Sequence, residues 1–292
     1  MPYLNPYKSS GTWIRCNFHG HCSEHSTCGK VPLTEKTKKY NNINTACLAI
    51  TDHNCITDLS EIRKEFPHII FLEGFEYSSG PNFVVCNEKI PSVLHLPPKE
   101  ILSSLKQALR FVCHPSPFAN GQEYWSLTSL KEMNQYFDGI EIYNGHYGIS
   151  RMRETGYTPD YRKTWDILLS DGYHIWGYAN DDFHEDDDFN NAFNMVLVDA
   201  ITPANIIKAA KNGSFYASTG LFLKKLIVSE NTCFIELCEK AKGKLIGGGR
   251  VINEQESATF KFDLQKINEP YLRFEAQKDS RLLCLQPFFW LT

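Results

Sequence analysis

No apolar run in this sequence approaches the ~20 residues that span a bilayer, so no membrane partner is expected. The opening segment, Met1 to Gly11, is polar and lacks the apolar stretch of a secretory signal, and a cytoplasmic protein is expected. A basic surplus is missing as well. Lys and Arg number 30 against 34 Asp and Glu, a formal net charge of -4, so bulk electrostatics gives no strong sign of polymeric nucleic-acid binding. No internal repeat or low-complexity tract is present, and 42% hydrophobic against 22% charged residues is the balance of a folded globular chain, which excludes disorder. A length of 292 residues allows one large catalytic domain, or a large one with a small one.

Cysteine is not scarce, but its setting argues against a disulfide framework. Of the ten cysteines, Cys47, Cys86, Cys113, Cys233 and Cys284 sit in apolar, strand-like segments such as TACLAI and FVVCN, where a reduced thiol serves as a small core residue.

The first two thirds alternate short apolar runs with amphipathic ones. WIRCNFH, CLAITDH, IIFLEGFEY, FVCHP, GIEIYN and HIWGYANDD read as strands. LSEIRKEF, KEILSSLKQAL and YRKTWDILLSDG carry apolar residues at helical spacing, the last stopping at Gly172. Such alternation predicts an α/β sheet or barrel of parallel strands joined by helices. After about Gly213 the pattern turns to hairpins, LKKLIVSENTCFIELCEK, ATFKFDLQ and PYLRFEAQ, with Gly247 to Gly249 as a turn signal. The expected division is a catalytic domain over 1–212 and a β-rich extension over 213–292.

Ionisable residues gather at the C-terminal ends of the strand segments: His19 and His21, Asp52 and His53, Glu76, His114, Glu141, then Asp181, Asp182 and His184. In barrel enzymes that end carries the active site. Residues two apart on a strand share a face, so His19 and His21 aim at a common point. Imidazole suits zinc, manganese or iron, and carboxylates add the charge that holds several cations together. Glu76 is placed to bridge two ions standing about 3.5–4 Å apart. The run HEDDDF after the last of these residues reads as a solvated loop, and His146 and His174 as structural.

In their order, NFHGH, AITDHN, GFEYS, FVCHP, GIEIYN and DDFH resemble the motifs of the polymerase-and-histidinol-phosphatase (PHP) family of metal-dependent phosphoesterases, over Ile14 to His184. The resemblance implies a distorted seven-stranded (β/α) barrel with two or three divalent metal ions. It places His19, His21, Glu76 and Asp182 around a first ion, Glu76 and His114 on a second, and His53 and His184 on a third. Glu76, His114 and Asp182 would then be central to catalysis. Asp52 and Asp181 are expected to steady imidazoles through their ring N–H groups. GSFYASTG and the tail to Phe288 resemble the C-terminal extension of a PHP subgroup that includes small-nucleotide phosphatases.

Two positions depart from the family pattern. Where relatives have an Asp-Gly after the first motif, this chain reads EHSTCGK, which makes Cys28 a candidate third-site ligand, with His25 and Glu24 as alternatives. Where relatives have a His after the bridging Glu, Asn82 stands here as a candidate second-site ligand, a poorer one for zinc than His. Lys30, Arg151 and Arg153 lie near the motif loops as candidate phosphate-binding cations. The implied reaction is hydrolysis of a small phosphorylated substrate, a phosphomonoester or nucleotide phosphodiester, by metal-activated water. Amide hydrolysis at a similar centre and a non-catalytic metal-binding module are the alternatives.

Overall fold

The computed structural model describes residues 3–7, 10–115, 118–119, 121–229 and 231–290. After a short strand β1 (Tyr3–Leu4), the apolar runs form β2 (Thr12–Asn17), β3 (Thr45–Ile50) and β4 (Ile70–Tyr77), a parallel set connected through α1 (Leu33–Asn42) and α2 (Ser60–Glu65). The next strand, β5 (Phe83–Asn87), breaks the parallel expectation and runs antiparallel to β4. Its connection, residues 78–82, is too short for the dozen or more residues of a parallel crossover. The helix α3 (Pro98–Ser104) is shorter than KEILSSLKQAL suggests, because Leu109 opens β6 (Leu109–Val112), which is antiparallel to β5. From there β6, β7 (Gly139–Asn144) and β8 (Trp176–Asn180) are parallel again. Their connections carry α4 (Leu127–Met133), α5 (Ser150–Glu154) and α6 (Arg162–Ser170). Two residues beyond α6, Gly172 takes φ of 88°, the left-handed stop its glycine suggested.

β9 (Phe193–Val198) pairs antiparallel with β2, and α7 (Pro203–Lys211) leads to β10 (Phe215–Ser218) on the far side of β9. Side-chain amides join β8 to this edge. Asn194 accepts from the Ala179 N–H at 3.0 Å and donates to the Ala179 carbonyl at 2.7 Å, and Gln286 does the same for Gly177, both at 2.8 Å. Each buried backbone group left unpaired would cost about 1–3 kcal/mol, so two amides take the place of a missing ladder.

The tail is antiparallel throughout: β11 (Leu223–Val228), β12 (Thr232–Gly247), β13 (Arg250–Asp263), β14 (Tyr271–Lys278), β15 (Arg281–Leu285) and β16 (Phe288–Trp290). Gly248 and Gly249, at φ of 54° and 75°, form the two-residue turn between β12 and β13, a geometry that needs positive φ at both positions. β10 pairs with both β9 and β15, so among the described residues one 16-stranded sheet runs from the first part of the chain into the tail. One apolar core, including Phe75, Val84, Phe111, Ile140 and Trp165, fills the α/β part. A second, including Ile235, Phe260 and Phe274, lies among the tail strands and also takes in Tyr3 and Tyr7 from the start of the chain. The whole is a mixed α/β fold on a large sheet with seven α-helices among the described residues. No described helix is long and apolar enough to cross a membrane. All ten cysteines are free, and the five assigned to apolar segments are buried.

Candidate metal centre

The ends of β2, β3, β4, β6, β7 and β8 deliver His19 and His21, His53, Glu76, His114, Glu141, and Asp182 and His184 to one cluster. Two of these residues sit in left-handed backbone, His114 at φ of 29° and Asp182 at 50°. That conformation costs a non-glycine residue of order 1–3 kcal/mol and persists where the surroundings hold it. Here the His114 N–H donates to Glu141 Oε2 at 3.0 Å and the Asp182 N–H donates to the His19 carbonyl at 3.1 Å.

Glu76 lies at the middle. Its Oε2 is 3.3 Å from His19 Nε2, 3.3 Å from His21 Nε2 and 3.1 Å from His53 Nδ1, while its Oε1 is 3.1 Å from His114 Nε2. Asp182 Oδ1 is 3.1 Å from His19 Nε2 and 3.0 Å from His21 Nε2. Despite these approaches, His19 Nε2 and His53 Nδ1 are buried without a hydrogen-bond partner. Two donor atoms each bound at about 2.0–2.1 Å to one tetrahedral ion stand roughly 3.3 Å apart, so the spacing suits shared ligation. His19, His21, Glu76 and Asp182 form one group able to hold an ion; His21, Cys28, His53 and His184 form another; Glu76, Cys113 and His114 form a third.

The electrostatics also fit a cation. Burial disfavours charge on His19 and His21, yet Asp182, Glu141 and Glu76 carry His19 well above the ordinary imidazole range, and hydrogen bonds to Asp182 and Glu76 raise His21. Burial likewise opposes ionisation of Glu76 and Asp182, and the surrounding imidazoles, His19 foremost, hold both well below the usual carboxylate range. Burial lowers His53 and His184, leaving their lone pairs free. The buried carboxylates thus favour positive charge at this centre, which a divalent ion would supply. Lys36, buried on α1, donates its Nζ to the His21 carbonyl at 3.2 Å, and burial lowers its pKa.

The expectation for Asp52 and Asp181 is corrected. Asp52 Oδ1 is 4.0 Å from His21 Nδ1, beyond hydrogen-bond range; its carboxylate instead accepts from the Cys22 N–H at 2.8 Å, the Cys22 thiol and the Thr57 hydroxyl. Asp181 accepts from Tyr40, Asn190 and Ala192, and burial raises its pKa to about 6. Both carboxylates pin loops, because each turns toward the unpaired backbone N–H groups beside it rather than toward a ring. The ring-holding role falls to Glu141. Its Oε1 lies 2.9 Å from His19 Nδ1 and accepts from Asn180 at 3.0 Å, while its Oε2 accepts from the His114 N–H and from Asn144, both at 3.0 Å. Asn144 also donates to Asp182 Oδ2 at 3.0 Å.

The acidic loop is corrected in part. Asp186 and Asp187 are exposed, but Asp188 is fully buried, accepting from the His184 N–H at 2.8 Å and the Glu185 N–H at 3.0 Å and lying 2.8 Å from His146 Nδ1. His146 packs its ring 4.4 Å from that of His184, so it borders the cluster, whereas His174 stacks on Phe289. Asn82 donates its amide to Glu76 Oε1 at 2.8 Å. Glu24 accepts from the Leu33 N–H at the start of α1, and His25 is exposed and belongs to none of the ligand groups among the described residues. Lys30 and Arg151 both pair with Glu185, next to His184, and Arg153 is exposed on α5. An aromatic wall, Tyr124 and Tyr147, flanks His114 at ring distances of 4.4 and 5.2 Å. A cleft of about 790 Å³ lies elsewhere, against α6, and its Arg162 and Arg273 are already paired with Asp160, Asp166 and Glu275.

No protein-family model matches the chain, and no curated protein matches it in sequence. Among solved structures it is similar to PsfC from Pseudomonas syringae, at 11% identity over 66% of this chain and 86% of that chain, TM-score 0.46. It is also similar to an amidohydrolase from Chromobacterium violaceum, at 14% identity over 58% of this chain and 87% of that chain, TM-score 0.40. Likenesses that partial carry no argument. A fuller one is to a two-domain protein containing a predicted PHP-like metal-dependent phosphoesterase from Bacteroides vulgatus, at 14% identity over 99% of this chain and 90% of that chain, TM-score 0.55. At that identity the likeness speaks for the fold, and the chain has the fold of a protein containing a PHP-like metal-dependent phosphoesterase.

Proposed function

We propose that this chain is a PHP-type phosphoesterase that hydrolyses a small phosphomonoester or a nucleotide phosphodiester at a centre of two or three divalent ions, zinc, manganese or iron. The observation that carries this reading is the convergence on Glu76: three imidazole nitrogens stand 3.1–3.3 Å from its Oε2, and two of them have no hydrogen-bond partner. In this reading His19, His21, Glu76 and Asp182 hold one ion, Glu76 and His114 a second, and His53 and His184 a third. Bound divalent ions supply Lewis acidity, making water a nucleophile near neutral pH and offsetting the charge that develops at phosphorus. Glu141 fixes the His19 ring through Nδ1, which leaves Nε2 as the ligand atom, and the His184 Nδ1 contact with the Asp182 carbonyl at 2.7 Å does the same for His184. Asn82 orients Glu76. Tyr124 and Tyr147 shield one side of the cluster from water.

Phosphate is favoured over an amide by the cations at the rim. Lys30 and Arg151 meet on Glu185, and a phosphoryl group could compete for both; Arg153, exposed on α5, is proposed as a further phosphate-binding cation. Residues 1–212 are proposed as the catalytic part and 213–292 as an extension, in a cytoplasmic protein whose free cysteines stay reduced.

The test is a comparison of substrates. Protein reconstituted with manganese or zinc should hydrolyse an aryl phosphomonoester or a bis-aryl phosphodiester and leave the matching aryl amide intact. Cleavage of the amide with no phosphoester hydrolysis would overturn the assignment of the bond.

A further inference from the structure

Resting on the metal-centre reading above, we infer that Cys28 is a metal ligand and that His21, Cys28, His53 and His184 form a sulfur-containing site that selects zinc over manganese. One donor atom from each of the four residues lies within 4.8 Å of the others. His21 is fully buried and its Nδ1 has no hydrogen-bond partner; His53 Nδ1 has none either. At His184 the Nδ1 contact with a backbone carbonyl leaves Nε2 as the bare lone pair.

The loop is built to bring the sulfur there. The Ser23 N–H donates to the Val31 carbonyl at 3.1 Å, the Ser26 N–H to the Cys22 carbonyl at 3.2 Å, and the Lys30 N–H to the His184 carbonyl at 2.8 Å, which clamps the segment onto the strand end that carries His184. Gly29, the neighbour of Cys28, permits this closeness: a Cβ there would stand 2.6 Å from the Cys22 carbonyl oxygen. Cys28 Sγ lies 2.9 Å from the Ser26 hydroxyl, a partner able to donate to a thiolate. The two alternatives from the sequence are otherwise placed, Glu24 on the start of α1 and His25 in solvent.

The donor set decides the metal. A thiolate with His53, His184 and the bare Nδ1 of His21 is a softer set than His19, Glu76, Asp182 and His21 Nε2 in the neighbouring group, so His21 would bridge the two sites as an imidazolate, and soft donors favour zinc over manganese. The chain therefore carries two adjoining sites of different selectivity.

Cobalt(II) loading of the full chain reads this out without turnover. The parent should show the near-ultraviolet thiolate-to-cobalt charge-transfer band together with the visible bands of bound cobalt. Cys28→Ser and Cys28→Asp should lose the charge-transfer band and keep visible bands, and Cys28→Asp should shift zinc over manganese occupancy toward manganese by on the order of tenfold. Visible bands without a charge-transfer band in the parent would overturn the assignment of Cys28 while leaving the metal centre standing. A charge-transfer band that survives in Cys28→Ser would overturn it too, and would point to Cys113 beside Glu76 and His114. A parent that binds no cobalt would overturn both this inference and the metal-centre reading.

Discussion

Replacing Glu76 by Gln is expected to remove at least one bound divalent ion and to cut phosphoester turnover by about 10³-fold or more, at least the loss that follows removal of one strong electrostatic group from an active site. The carboxylate is buried and faces four imidazoles, with His19, His21 and His53 on Oε2 and His114 on Oε1. At an effective dielectric of about 20, two unit charges 4 Å apart repel by ~4 kcal/mol, and two divalent ions by roughly four times that. A bridging negative charge offsets much of this repulsion; a neutral amide does not, and it also turns an NH2 toward groups that need an acceptor. Metal content and turnover of Glu76→Gln should be measured beside the parent, with near-ultraviolet circular dichroism to show that packing is intact. A parental metal count and rate would remove Glu76 from the centre of the site.

Glu141→Gln should come next in size, through a different route. Its two oxygens serve four contacts, from His19, Asn180, the His114 N–H and Asn144, in a fully buried position. A glutamine has one acceptor oxygen, so donors on the other side meet its NH2, and a buried donor without a partner costs about 1–3 kcal/mol. We expect about 3 kcal/mol lower stability by urea unfolding and about 10–100-fold weaker metal binding, because the His19 ring and the strained His114 backbone both lose their anchor. Weakened folding with parental metal affinity would make Glu141 a structural residue only.

How far the sequence led to this site depends on the kind of contact involved. His19, His21, His53, Glu76, His114, Asp182 and His184 were visible because ligand-type residues recurred at the ends of apolar runs, and the fold brings those ends together. Glu141 was visible as a member of the group, but its role was not: the four donors it serves come from β7, β8 and the segments after β2 and β6, and no local pattern announces them. Asp52 and Asp181 misled because neighbours in sequence are not neighbours in direction: the Cys22 N–H after β2 claims Asp52, and the Asn190 and Ala192 N–H groups in the loop after β8 claim Asp181. Asp188 was hidden in an acidic run whose members Asp186 and Asp187 are exposed. In the fold, the alternation of strands and helices gave the α/β class, and the glycines after α6 and between β12 and β13 marked real turns. The reversed β5, the short α3 and the amide closure by Asn194 and Gln286 arise from tertiary pairing, which periodicity does not encode.

The most direct test of the central claim is phosphomonoester turnover by the purified chain as a function of bound metal, with metal content measured in the same samples. Activity should vanish when chelation strips the ions and return as manganese or zinc is restored, with two or three ions per chain at full activity. Undiminished turnover by protein shown to be free of metal would contradict the account.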